Sequence, residues 1–259
     1  MPRLTPDPVI QTVDLRREYP MGRDTVVALG GVNLTILKGE FVAIMGPSGS
    51  GKSTLLNLLG GLDQPTSGKV ILDGHDLSAY TEEELAALRR QKMGFIFQRH
   101  DLFPVLTVRE NVEFPMLLNG LSLEERRARS GQLLNLVGLA EKADSLPEEL
   151  SGGQQQRVGI ARALANAASI LLADEPTGNL DSATSEDIID SLIALKQARS
   201  LTLIMVTHDP EVAAHADRVL QLKDGKLLSL IPNPSPAGGR EFPLPLGEGQ
   251  GEGKKGNTL

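Results

Sequence analysis

The run Gly46-Pro47-Ser48-Gly49-Ser50-Gly51-Lys52-Ser53-Thr54 leaves this chain few choices of fold. It follows the apolar stretch Phe41-Val42-Ala43-Ile44-Met45 and precedes Leu55-Leu56-Asn57-Leu58-Leu59, so the order is buried strand, glycine loop, helix. The spacing G-x-x-x-x-G-K-S is that of a phosphate-binding loop. Glycines let backbone amides converge on an anion without interference from Cβ, and the new helix adds its positive N-terminal end. In such a loop Lys52 reaches the β- and γ-phosphates, and the Ser53 hydroxyl takes one place on Mg2+.

The remainder of the chain suits that loop. Gly94-Phe95-Ile96-Phe97, Ile170 to Ala173 and Leu203 to Val206 read as buried strands. Helices over Gln154 to Ala167 and Glu186 to Gln197 alternate with them, the second turning Ile188, Ile189, Leu192 and Leu195 inward. Repeated strand–helix units with wholly apolar strands argue for a parallel sheet covered on both faces. Val219 to Leu222, before Asp224-Gly225, reads as an edge strand ending in a turn. Near the start, Val9 to Tyr19 and Val26 to Leu37 read as strands, and Lys69 to Leu72 as another closing on the tight turn Asp73-Gly74. Val32, Leu34 and Ile36 alternate with Asn33 and Thr35, the pattern of a half-exposed antiparallel sheet.

From Arg99 to about Leu150 the signals are helical, with capping-box spacing at Thr107/Glu110 and Ser122/Glu125. Pro115 is expected to interrupt the first of these helices, and Leu133, Leu134, Val137 and Leu139 give the last an apolar face. From Pro232 onward the chain is dense in Pro and Gly and is expected to be disordered.

Composition narrows the function. A net charge of -7 offers no broad basic surface, so no nucleic-acid partner is expected. There are no cysteines, which excludes disulfides, thiolate metal sites and cysteine nucleophiles. No run approaches the roughly 18 apolar residues of a membrane span, so direct membrane insertion is not expected.

Two further runs carry chemistry. Leu150-Ser151-Gly152-Gly153-Gln154 opens a helix, with Ser151 a natural N-cap and the glycines exposing backbone amides at the positive end. It reads equally as an ordinary glycine-rich helix start or as a second phosphate-facing element. One γ-phosphate does not need two cradles from one subunit, unless the second serves a neighbour's nucleotide. In Ile170-Leu171-Leu172-Ala173-Asp174-Glu175 a buried strand delivers two carboxylates at its C-terminal end, where parallel sheets place ligands. Asp174 suits a Mg2+ shell and Glu175 suits polarising an attacking water.

With these motifs in this order, the chain resembles the nucleotide-binding subunits of ABC transporters from about Val9 to Leu230. The resemblance implies an α/β fold: a P-loop NTPase parallel-sheet core with an antiparallel β subdomain and a helical subdomain inserted at about 99–150, all within residues 1–231. It implies that Gln98 bridges Mg2+ and the helical subdomain. It also implies that Asn179-Leu180-Asp181 speaks across a dimer and that His208 contacts the γ-phosphate. Tyr19 stands where the family places an aromatic that stacks on adenine, although a strand tyrosine also serves as plain packing. His75, His100 and His215 match no landmark. Because such subunits dimerise head to tail, Ser151 to Gln154 of one would close over ATP held by Gly46 to Thr54 of the other.

Gly60-Gly61-Leu62-Asp63, Pro65-Thr66-Ser67-Gly68, Phe97-Gln98, Glu110-Asn111-Val112 and Asp174 to Asp181 resemble the lipoprotein-releasing, macrolide-efflux and cell-division group. The expected function is Mg-ATP hydrolysis in a homodimer that drives a separate transmembrane permease from the inner face of the cell membrane. The alternative is an ABC-type switch acting outside transport, such as a cell-division ATPase with a permease-like partner. Leu102-Phe103-Pro104-Val105-Leu106 would suit a permease helix, or would simply fill the helical subdomain.

Overall fold

A computed structural model describes residues 7–22, 24–98, 101–178 and 180–232. The first half runs β1 (Pro8–Met21), β2 (Asp24–Leu37), β3 (Phe41–Met45), α1 (Lys52–Leu59), β4 (Ser67–Leu72), β5 (His75–Asp76), α2 (Glu82–Lys92) and β6 (Met93–Ile96). Then come α3 (Val108–Leu118), α4 (Leu123–Leu136), α5 (Gly152–Ala163), β7 (Ile170–Asp174), α6 (Ser182–Arg199), β8 (Thr202–Val206), α7 (Pro210–Ala213), β9 (Arg218–Lys223) and β10 (Lys226–Pro232). The expected disordered tail lies, beyond Pro232, outside the described residues, as do His100 and Asn179.

The strands form two sheets. The four-stranded one, in order β2-β1-β4-β5, is antiparallel throughout. The six-stranded one runs β10-β9-β3-β8-β7-β6, parallel except where β10 returns against β9. Side-chain alternation along the parallel strands divides the core in two. Ala43, Leu171, Ala173, Leu203 and Met205 face a core shared with α3, α4, α5 and α6. Val42, Ile44, Ile170, Leu172, Ile204 and Val206 face a second core, shared with α1 and the antiparallel sheet. Each of these strands is buried on both sides, which is why its sequence is almost wholly apolar.

Capping boxes stand at Thr81/Glu84, Thr107/Glu110 and Ser122/Glu125. Four details differ from expectation. Pro115 does not interrupt α3, which continues to Leu118 because Val112 and Met116 on either side are fully buried. Val137 and Leu139 lie past the end of α4 but are still buried in the same core as Leu133 and Leu134. α5 ends at Ala163 rather than Ala167, and Ala167 itself takes a left-handed φ of 56° as the chain turns toward β7. Val219 to Leu222 is not at the edge: the Asp224-Gly225 turn returns the chain as β10, which covers β9 and becomes the edge itself. Lys226-Leu227-Leu228-Ser229 lacks a clean alternation, so that strand carried no period-2 signal.

Candidate nucleotide site

The glycine loop leaves the C-terminal end of β3 and closes on α1, whose N-cap is Gly51 with a left-handed φ of 99°. A Cβ at Gly51 would overlap the Ala28 carbonyl oxygen of β2, and one at Gly46 would overlap the Leu222 carbonyl oxygen of β9. The loop is thus wedged between strands of both sheets. The β9–β10 turn adds a clamp: Gly225 donates its amide to Ser50 O at 3.1 Å, while Gly30 donates its own to Gly225 O at 2.8 Å. Ala28, Leu222 and Gly225 are parts of the cradle that motif spacing did not identify; only the Asp-Gly turn gave any signal. Lys52 is nearly buried, and its Nζ donates to Gly46 O and Pro47 O at 2.9 and 3.0 Å.

β7 runs parallel to β8 and delivers Asp174 and Glu175 beside that loop. Burial pushes the Asp174 carboxyl above its ordinary range; the Ser53 hydroxyl, hydrogen-bonded to it, and Lys52 oppose the rise, while Glu175 adds to it. That pairing joins two residues 121 apart in the chain. Glu175 adopts φ 44°, uncommon for a side chain of its size, and its amide donates to Val206 O at 3.0 Å. The turn aims the carboxylate away from the strand, where Glu175 Oε1 meets His208 Nδ1 at 3.4 Å. His208 is largely exposed. Gln98 closes the group: its amide packs so tightly over Gly178 that a Cβ there would sit 2.9 Å from Nε2 and 3.4 Å from Glu175 Oε2. α5 holds the two sides of the Gln98 loop, through Gln156 Nε2 to Phe97 O at 3.4 Å and Arg162 Nη1 to Asp101 O at 2.7 Å.

Ser151 caps α5 as expected, accepting from the Gln154 amide at 3.3 Å, and the Gln154 side chain accepts from the Ser151 amide at 3.0 Å. Gly153 is buried against Thr184, and a Cβ there would overlap Thr184 Cγ2. Thr184 in turn donates its amide and hydroxyl to Asp181, the N-cap of α6, at 3.0 and 2.7 Å. Ser151 to Gln154 and Asp181 are therefore one constellation, and Gly46 to Thr54, Gln98, Asp174, Glu175 and His208 another. Tyr19 belongs to a third group on β1: its hydroxyl donates to Asp63 Oδ2 at 2.7 Å, and the Arg17 guanidinium lies 4.5 Å from its ring centroid. Phe103 and Val105 are exposed beyond Gln98, whereas Leu102 packs against the helical core.

A glycine loop between a parallel strand and a helix, with a strand-end carboxylate bonded to the serine after its lysine, defines a P-loop nucleoside triphosphatase. The ABC transporter family model matches residues 29–178. The chain is 48% identical over 220 residues to the uncharacterized ABC transporter ATP-binding protein YknY of Bacillus subtilis (strain 168), covering 85% of this chain and 95% of that protein. It is 52% identical over 226 residues to the macrolide export ATP-binding/permease protein MacB of Hyphomonas neptunium, covering 87% of this chain but only 35% of that protein. Among solved structures, a dimeric post-hydrolysis state of the ATP-binding cassette MJ0796 bound to ADP and Pi superposes with a TM-score of 0.81 at 46% identity, covering 86% of this chain and 98% of that one. The chain belongs to the ABC transporter family. It is an ATP-binding, ATP-hydrolysing component of a transporter, and these relatives favour transport over a switch acting outside it.

Proposed function

We propose that the chain hydrolyses Mg-ATP as one half of a head-to-tail homodimer and thereby drives a separate transmembrane permease. The observation that carries the dimer is the position of Ser151 and Gly152. They are exposed at the open start of α5, while Gly153 beside them is packed against Thr184, whose hydroxyl bonds to Asp181; the Gly152 amide, at the positive end of the helix, is offered to another copy's nucleotide. The MJ0796 cassette, solved as a dimer, supports dimerisation.

In that site Gly46 to Thr54 cradle the phosphates, with Lys52 exchanging its loop carbonyls for phosphate oxygens. Among the described residues no group of three or more His, Asp or Glu side chains could hold a metal. The donors present are the Ser53 hydroxyl, the Asp174 carboxylate and the Gln98 amide, oxygen ligands that fit Mg2+ shared with a nucleotide. Mg2+ there would neutralise charge on the phosphate oxygens. Glu175 accepts the proton of the attacking water, and His208 orients both Glu175 and the γ-phosphate. Tyr19 offers its ring to adenine. The chain spans about a third of the MacB relatives' length. Among the described residues no helix is long and apolar enough to cross a membrane. A permease of the macrolide-export or lipoprotein-release type, holding this chain at the inner membrane face, agrees with both facts.

Sedimentation of the Glu175→Gln variant tests the proposal. With Mg-ATP it should sediment as a dimer, and adding Lys52→Ala should return it to a monomer. A variant that binds ATP yet stays monomeric at every protein concentration would refute the composite site.

A further inference from the structure

We propose that Asp63 and Arg17 are positioning residues for the nucleotide base, holding the Tyr19 ring in its stacking orientation before ATP arrives. The inference rests on the reading of Tyr19 as the adenine platform and adds what fixes that platform.

Three side chains from two distant segments lock together here. Asp63 Oδ2 accepts from the Tyr19 hydroxyl at 2.7 Å and from Arg17 Nε at 2.8 Å, while Asp63 Oδ1 accepts from Arg17 Nη2 at 2.7 Å. Asp63 Oδ1 also takes the Gln64 amide at 2.8 Å, which orients the carboxylate itself. Arg17 is two residues before Tyr19 on β1, and its guanidinium lies over the Tyr19 ring, 4.5 Å from the centroid. One ring face is therefore braced by a cation, and the hydroxyl end is pinned.

The brace is connected to the phosphate cradle. Asp63 follows α1, the helix that begins at Lys52, and the Leu62 amide donates back to Asn57 O at 2.8 Å, folding the segment against that helix. Arg17 pairs with Leu29 of β2, beside the Ala28 carbonyl that walls Gly51. Base platform and phosphate loop thus share one rigid frame. Ring placement fixed in advance removes the entropy of ordering that side chain on binding, so the brace contributes to ATP affinity without touching ATP. A partly exposed Arg–Asp pair adds little stability of its own, which leaves positioning as its main consequence.

The test is a double-mutant cycle on the full chain, reading equilibrium affinity for ATP and for inorganic tripolyphosphate, which has no base. Tyr19→Ala should weaken ATP about 5- to 150-fold, the range for loss of one base–aromatic stack. Asp63→Ala should weaken ATP about 2- to 12-fold, the cost of ordering one side chain, and raise KM with kcat unchanged. Neither should alter tripolyphosphate binding, and Asp63→Ala should add nothing in the Tyr19→Ala background. Tyr19→Phe, which keeps the ring and loses the pin, should follow Asp63→Ala. Equal factors with and without Tyr19, or a matching loss for tripolyphosphate, would overturn the positioning role while the platform stands. An unchanged ATP affinity in Tyr19→Ala would instead remove the platform, and the brace with it.

Discussion

His208 brings Nδ1 to 3.4 Å from Glu175 Oε1, joining the C-terminal ends of the adjacent parallel strands β8 and β7. The contact depends on the left-handed turn at Glu175, held by the hydrogen bond its amide donates to Val206 O. Backbone in such a conformation persists where its surroundings over-determine it, as they do between two buried strands.

That geometry predicts coupled effects on turnover. Glu175→Gln should slow hydrolysis by roughly 10²- to 10⁴-fold with ATP affinity retained, as expected on loss of a general base. His208→Ala should act in the same direction, and the double variant should be slower than wild type by much less than the product of the two single factors. Single-turnover rates measure this directly; full multiplicativity would show that the two side chains act independently.

Gly153 and Thr184 predict a second-site rescue. Gly153→Ala would force its Cβ into Thr184 Cγ2 and separate α5 from α6 at Ser151 to Gln154, so ATPase activity should fall while ATP still binds. Thr184→Ser removes that methyl and keeps the hydroxyl bonded to Asp181, and in the Gly153→Ala background it should restore activity. A turnover assay of the four proteins decides it.

Gly51 should tolerate no side chain. Its φ of 99° and the Ala28 carbonyl both oppose a Cβ, so Gly51→Ala should cost at least about 1–3 kcal/mol of stability from backbone strain and abolish tight ATP binding. Urea denaturation and nucleotide titration together report both losses.

Glu40 and Arg218 form a buried pair with Oε1 and Nε 3.0 Å apart. Glu40 Oε2 also accepts from the Leu37 amide at 2.8 Å, and Arg218 Nη2 donates to Thr35 O at 2.8 Å. The pair pins β9 to the end of β2 and so holds the two sheets together. Glu40→Ala should strand the arginine charge and cost about 3–5 kcal/mol, read as a lowered denaturation midpoint with m unchanged. Glu40→Met with Arg218→Met should recover much of that loss.

Much of this molecule was readable along the chain because its signals are local. The strands around the site are uninterrupted apolar runs, the helices announce themselves by capping residues three apart, and the phosphate loop is spelled by its glycines. Where local pattern was weak, expectation slipped: β10 has no alternation, Pro115 sits in a helix that burial sustains, and the end of α5 is set by the turn into β7. Gln154 belongs to the run that the resemblance sets against a neighbour's nucleotide, and in this chain its side-chain oxygen caps the Ser151 amide.

Sequence alone determined the glycine loop at Gly46 to Thr54, the strand-end carboxylates at Asp174 and Glu175 and the doubly covered parallel sheet, because each is written within a few neighbouring residues. Tertiary structure decided what surrounds them: the Ala28 and Leu222 carbonyls that make Gly51 and Gly46 obligatory, the Ser53–Asp174 pairing, the Glu175–His208 contact and the Asp63–Arg17 brace on Tyr19. Those contacts join residues far apart in the chain, and their partners are often backbone carbonyls that every residue type carries. A sequence pattern holds no mark of them until the strands pair and bring the segments within reach.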